Sequence, residues 1–265
     1  MRVLVKLGGR AIEQADQRRL TAGEIRTLRE RREVILVHGG GYLVTELSER
    51  LGIGSRFVDG IRMTGEAEMD VVDMVLAGAV NTQLVRVLNH AGVSAVGLTG
   101  ADAQLVTGVA LAASAGEHEG APGTGVTTHT GTPASVAPGI VETLLAAGHT
   151  PVCGSVAADA AGRALNINAD DFAVALAGAL AVDACLFISD TDGVLLNGEV
   201  RSGLTASQVE AAVADGTIYG GMIPKVRAAL AALDGGAAAA VIGTVRDPGD
   251  LLRILRGTRG TRIEP

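Results

Sequence analysis

Apolar positions fall mainly in short unbroken runs. Val34–Val37 (VILV) has four in a row and leads straight into His38 and the glycines Gly39–Gly41. Such a run reads as a strand buried on both faces, as in a parallel sheet. Val3–Leu7, Val93–Leu98, Thr150–Cys153, Ala184–Ser189 and Ala238–Ile242 read as further strands. Between them lie helical patterns: Thr21–Arg32, Tyr42–Leu51, Glu66–Leu76, Val80–His90, Pro138–Ala147 and Leu204–Asp215. An Ala-rich helix opens at Asp170 and Asp171 and runs to about Ala181. Another apolar helix carries Lys225, and a short one spans Gly249–Leu255. Strand and helix alternate from the start, which predicts an α/β fold with a parallel sheet and right-handed crossovers.

Three segments break this rhythm. Ser55–Thr64 centres on Asp59-Gly60 and reads as a hairpin. The pattern weakens from Leu105 to Thr132, and Ala113–Thr130 reads as a loop or an irregular hairpin. Ala157–Arg163 reads as a polar turn.

Glycine and charge begin where the apolar runs stop. Three glycines after Val34–Val37, followed by a helix start, expose backbone N–H groups to a ligand. Such a turn suits an anion, phosphate first of all, although a bare tight turn has the same residues. Lys6 sits in the first strand just before Gly8-Gly9. It either faces water on an edge strand or reaches toward the same anion site. Arg62, on the return arm of the hairpin, is either a surface cation or a clamp for a carboxylate. Asn166 and Asn168 alternate with apolar residues, and suggest a polar site or a satisfied buried network. Asp170 and Asp171 suit a helix N-terminus by charge alone. Asp190-Thr191-Asp192-Gly193 closes another strand and suits nucleotide hydroxyls or a plain turn. Lys225 lies at a helix start, the unfavourable end for a cation, which suggests that it serves an anion.

Composition narrows the choices. The net charge of −7 argues against a nucleic-acid surface. Aromatic residues are 2% of the chain, so stacking platforms for bases are not expected. The two cysteines, Cys153 and Cys185, are far apart in apolar settings and read as buried free thiols of a reducing, cytoplasmic compartment. No uncharged apolar stretch is long enough to suggest a membrane span, and the N-terminal apolar run is too short for a signal peptide. There is no G-x-x-x-x-G-K-[ST], no G-x-G-x-x-G at the first strand–helix turn and no G-x-S-x-G. The five histidines are scattered, with no zinc spacing, and no protein metal ligands are expected.

Six motifs in order carry a resemblance: VKLGG (5–9), VHGGG (37–41), DGIRMT (59–64), LNINAD (165–170), SDTDGV (189–194) and GGMIPKV (220–226). Together they resemble the amino-acid kinase family, and within it the N-acetylglutamate kinases, over nearly the whole chain. The resemblance implies a three-layer αβα sandwich around a mainly parallel, eight-stranded sheet. Residues 1–160 would then bind the amino-acid derivative and form a dimer, and residues 161–265 would bind ATP, on one continuous sheet. The implied reaction moves the γ-phosphoryl of ATP, with Mg2+ held mainly by the phosphates, onto the side-chain carboxylate of N-acetyl-L-glutamate, a step in arginine biosynthesis.

The same resemblance assigns residues. Lys6 and Lys225 would stabilise the phosphoryl in flight, Asp170 would orient both lysines, and Gly9 and Gly40 would offer N–H groups to it. Gly40, Gly41, Arg62 and Asn166 would hold the substrate, with Arg62 on its α-carboxylate. Asp190, Thr191, Asp192, Gly193, Val194 and Leu195 would line the nucleotide site with Thr217, Ile218, Tyr219, Gly220, Gly221 and Met222. A carboxylate is already a nucleophile, so no general base is needed, and positioning with charge stabilisation is the expected chemistry. The first strand starts at residue 2 or 3, without the N-terminal helix of arginine-inhibited relatives, so an arginine-insensitive homodimer is expected. The alternatives are a kinase for carrier-linked or N-acylated aminoadipate in lysine biosynthesis, and a non-catalytic nucleotide-binding regulator. Both lysines with Asp170 argue against the regulator.

Overall fold

The computed structural model describes residues 1–58, 60–111 and 128–264. The apolar runs form the middle of an eight-stranded sheet. Its strands, in chain order, are β1 Arg2–Leu7, β2 Glu33–His38, β3 Ala95–Thr99, β4 Thr150–Gly154, β5 Ala184–Ile188, β6 Gly203–Thr205, β7 Ala240–Gly243 and β8 Thr261–Glu264. Their order across the sheet is β6-β8-β7-β5-β1-β2-β4-β3. The strands from β7 to β3 are parallel, β8 is antiparallel to β7, and β6 is parallel to β8. Alternate side chains of β1 feed two buried layers. Val3, Val5 and Leu7 join one, and Leu4 joins the other with Ile35, Val37 and Phe187. Helices cover both faces, so the predicted αβα sandwich is what the chain forms.

β1 is central. It pairs with β2 on one side and β5 on the other, which rules out an edge position for Lys6. The chain builds β2, β3 and β4 on one side of β1 and then crosses to build β5, β6, β7 and β8 on the other. A crevice therefore opens beyond the carboxyl ends of β1, β2 and β5, where open α/β sheets place their ligands.

Several elements differ from the sequence expectation. Glu66–His90 is one run, not two helices: Asp73–Val80 is a π-helical segment between Glu66–Val72 and Asn81–His90. This run is long and apolar enough to cross a membrane by composition. Its apolar side, however, is buried in the core through Met69, Val72, Val75, Leu76, Val80, Leu84 and Leu88. The weak region holds real strands. Val106–Ala110, Thr130–Val136, Val156–Ala158 and Ala164–Ile167 close a small four-stranded barrel. Val156–Ala158 takes the start of the expected polar turn. The barrel is narrow: a Cβ at Gly108 or Gly131 would lie 2.8 or 2.9 Å from the Leu165 side chain. Of the segment read as Ala113–Thr130, residues 113–127 lie outside the described residues.

Leu204 belongs to β6, and the helix behind it is Ala206–Ala214, capped by Thr205 with Gln208 in a reciprocal box. β8 was not foreseen in the basic, glycine-rich tail. Phe57–Val58 and Ile61–Arg62 form the expected hairpin; Asp59 lies outside the described residues.

Candidate active site

The site begins with the glycine turns. Gly8 donates its N–H to the Ile188 carbonyl at 3.1 Å, which ties the end of β1 to the end of β5. Gly9 has φ +53°, and a Cβ there would sit 2.3 Å from an Asp190 carboxylate oxygen. Only glycine fits a left-handed turn pressed against a side chain in this way. On β2 the three-glycine turn leads into the helix Gly41–Arg50. A Cβ on Gly40 would meet Leu76 at 2.8 Å and Val80 at 3.1 Å. The π-helical segment therefore packs directly on the turn.

Two cavities open at this point. One, of 490 Å3, is lined by Gly40, Gly41, Arg62, Asn166 and Asp170. The other, of 480 Å3, is lined by Asp190, Thr191, Leu195, Thr217, Tyr219 and Lys225. Lys6, Gly8 and Gly9 belong to both. The end of β1 is thus a common wall between a glycine-lined cavity and a cavity bearing a second lysine.

Lys6 Nζ lies 2.8 Å from Asp170 Oδ1, and each side chain is 12% exposed. Asp170 stands in the first turn of the helix Ala169–Ala179. Asn168 caps that helix: its Oδ1 accepts from the N–H of Asp170 at 2.8 Å and of Asp171 at 3.4 Å. Asn168 is therefore a helix cap, which frees the Asp170 carboxylate to face Lys6. Lys225 is in the first turn of the helix Met222–Asp234 and donates to the Gly221 carbonyl at 2.9 Å. Burial pushes its pKa below the ordinary lysine range, and the charge of Lys6 adds to this; Asp170 and Asp190 pull the other way.

Asn166 donates from Nδ2 to Thr64 Oγ1 at 2.9 Å. His38 is fully buried at the end of β2. Its Nδ1 lies 2.8 Å from the Gly39 carbonyl and its Nε2 lies 3.0 Å from Asn81 Nδ2. Burial pushes its pKa down to about 4. A neutral ring with both nitrogens engaged packs the strand end and is no base.

Residues 1–244 match the amino acid kinase family. The chain belongs to this family. It is 40% identical over 267 residues to an acetylglutamate kinase of Deinococcus radiodurans, covering 99% of this chain and 100% of that one. It is also 40% identical to an acetylglutamate kinase of Chromohalobacter salexigens, over 93% of this chain and 81% of that one. Among solved structures it resembles a Streptococcus mutans protein with a TM-score of 0.82 at 27% identity, covering 99% and 98% of the two chains. Carbamate kinase from Giardia lamblia shares the fold, with a TM-score of 0.70 at 19% identity over 99% and 98%.

Within this kinase fold, the second cavity takes in part of the set expected to line the nucleotide site. Ile218, Gly221 and Met222 do line the second cavity. Asp192, Gly193, Val194 and Gly220 are not part of its wall. Asp192 is paired with Arg246 at 2.9 Å and Arg259 at 3.4 Å. Val194 is buried and donates its N–H to Thr261 Oγ1 at 2.8 Å. A Cβ on Gly193 would lie 2.6 Å from that same hydroxyl oxygen. These three residues anchor the loop to the start of β8.

Other participants carried no sequence signal. Glu68 pairs with Arg62 across the hairpin–helix junction. Thr130 Oγ1 donates to the Arg62 carbonyl at 2.6 Å and accepts the Thr64 N–H at 2.8 Å. Asn81 donates to the Val152 carbonyl at 2.8 Å as well as facing His38. The Thr130 and Asn81 contacts join residues far apart in sequence, whereas Glu68 is six residues from Arg62; no local pattern marks any of them.

Proposed function

We propose that this chain phosphorylates the side-chain carboxylate of N-acetyl-L-glutamate with ATP, giving N-acetyl-L-glutamyl 5-phosphate in arginine biosynthesis. The observation that carries this reading is the shared wall of Lys6, Gly8 and Gly9 between the two cavities. Donor and acceptor can lie in separate cavities and meet only there.

The acylated amino acid occupies the glycine-lined cavity, with Gly40, Gly41, Arg62 and Asn166 around it. ATP occupies the cavity of Asp190, Thr217 and Lys225, its γ-phosphoryl turned toward Gly9. The barrier is electrostatic, because an anion must approach a polyanion. Lys6 and Lys225 supply positive charge, and the N–H groups of Gly9 and Gly40 supply fixed dipoles. Asp170 holds Lys6 on target and favours the charged form of Lys225. Among the described residues no group of three or more His, Cys, Asp or Glu could hold a metal ion. A Mg2+ would be carried mainly by the phosphates, with Asp190 the carboxylate that lines the cavity of Lys225. When bound, the ion withdraws charge from the β- and γ-phosphates.

On this reading residues 1–160 form most of the acid site and residues 161–265 most of the nucleotide site. Lys6, Asn166 and Asp170 cross that division. A cytoplasmic homodimer completes the proposal, and light scattering on the purified protein tests the dimer. The substrate is tested by ADP release with hydroxylamine trapping on N-acetylglutamate, N-acetylaminoadipate, glutamate and carbamate. Acyl-hydroxamate from N-acetylglutamate first of all is the expected result. None from any of the four would remove the enzyme reading.

A further inference from the structure

On the reading that the glycine-lined cavity takes the acid substrate, Arg62 is the arginine in its wall. Arg62 is not a free fork. One terminal nitrogen donates to Ser55 Oγ at 2.7 Å and to Glu68 Oε1 at 2.5 Å. The other donates to the Gly41 carbonyl at 2.9 Å and to Thr45 Oγ1 at 2.6 Å. A guanidinium has five N–H donors, four of them on these two nitrogens, so only Nε–H is without a partner in this set. The Phe57 ring lies 4.7 Å from Cζ and limits swing on one side. The Glu68 side chain is only 3% exposed, and Ser55 Oγ donates to the same Oε1 at 2.6 Å. Ser55, Arg62 and Glu68 therefore close a buried triangle.

A substrate carboxylate cannot take both terminal nitrogens without breaking this set. Removing one partner of a buried ion pair leaves the other uncompensated, which is strongly unfavourable. The carboxylate must instead meet an Arg62 that stays where it is, with its charge partly offset by Glu68. We propose that Glu68 is a positioning residue that fixes Arg62 in the cavity wall and, by its charge, sets the affinity for the acid substrate.

The two functions of Glu68 separate by substitution. Glu68→Gln keeps an oxygen that accepts from Ser55 and Arg62 but removes the negative charge. Glu68→Ala removes both and leaves Arg62 without its carboxylate partner. The experiment is calorimetric titration of each variant with N-acetyl-L-glutamate, beside steady-state kinetics and a melting curve. The expected result is an opposite split. The Kd and KM for the acid fall roughly threefold in Glu68→Gln and rise about tenfold in Glu68→Ala, with kcat and the KM for ATP within about twofold. A merely structural role would lower kcat or the folded fraction in both and leave the KM in place. A Glu68→Gln protein that binds no more tightly than wild type, or a Glu68→Ala protein that binds equally well, overturns the inference. Failure of the functional reading looks different: wild type itself then binds no N-acetylglutamate and makes no hydroxamate.

Discussion

Lys6 and Lys225 come from opposite ends of the chain and line one cavity. Lys6 is held by Asp170, whereas Lys225 donates to the Gly221 carbonyl and has no carboxylate partner among the described residues. Replacing either by Ala should lower kcat by about 100- to 1,000-fold, the scale for losing one charge-stabilising donor. Lys225→Ala should melt close to wild type, whereas Lys6→Ala leaves the Asp170 carboxylate without its cation and should melt lower, which calorimetry checks. Because burial lowers the pKa of Lys225, its proton leaves before that of a solvent lysine. The alkaline fall of kcat/KM should therefore begin below the ordinary lysine range, and Lys225→Arg should move it upward. His38 gives a second pH dependence, in stability. Its folded pKa of about 4 lies below the ordinary 6.5. Above 6.5 the ring is neutral in both states. As pH falls from 6.5 toward 4 the unfolded chain takes the proton first, so stability drops, by on the order of 3 kcal/mol once pH is below 4. Urea midpoints across that window should show the drop, and His38→Gln should flatten it.

At the scale of elements, six strands were legible, β1, β2, β3, β4, β5 and β7, and most clearly the long apolar ones, β1, β2 and β5. They are buried on both faces, so hydrophobicity alone marks them. The glycine turns behind β1 and β2 were legible for the same reason, since punctuation follows each run directly. The barrel was not, because VTGVA and TGTPASV are rich in Gly and Thr and their partners are distant. β6 and β8, with three and four residues, are too short for a pattern. The π-helical segment has no composition of its own. Part of the site was legible too: both lysines, Asp170, Gly9, Gly40 and Gly41 line the two cavities, whereas the supports Glu68 and Thr130 do not show in sequence. Another such support is Glu24 on the helix Ala15–Arg29. It accepts the N–H of Gly249 at 2.8 Å and of Leu251 at 2.9 Å, capping the helix Asp250–Leu255 from outside. Glu24→Ala should cost about 1–3 kcal/mol, because the buried Leu251 N–H and the half-buried Gly249 N–H lose their acceptor. A urea titration measures this.

For the whole molecule, the sheet order decides where chemistry can occur. β1 lies between the halves, so its end can touch a ligand on either side. Cys185 lies fully buried in β5 beside β1 and Cys153 in β4 beyond β2, and burial raises both thiol pKa values, that of Cys153 to about 12. Neither should react with a thiol reagent until the sheet opens, so labelling should track global unfolding. The central claim is that the side-chain carboxylate attacks the γ-phosphoryl at this shared wall. The most direct test uses N-acetyl-L-glutamate labelled with 18O in its side-chain carboxylate, with ATP and hydroxylamine, followed by mass analysis of the released phosphate. The account predicts one 18O atom in each phosphate, carried over as the bridging oxygen of the acyl phosphate. Phosphate without label would mean that water, not the carboxylate, receives the phosphoryl group, and would contradict it.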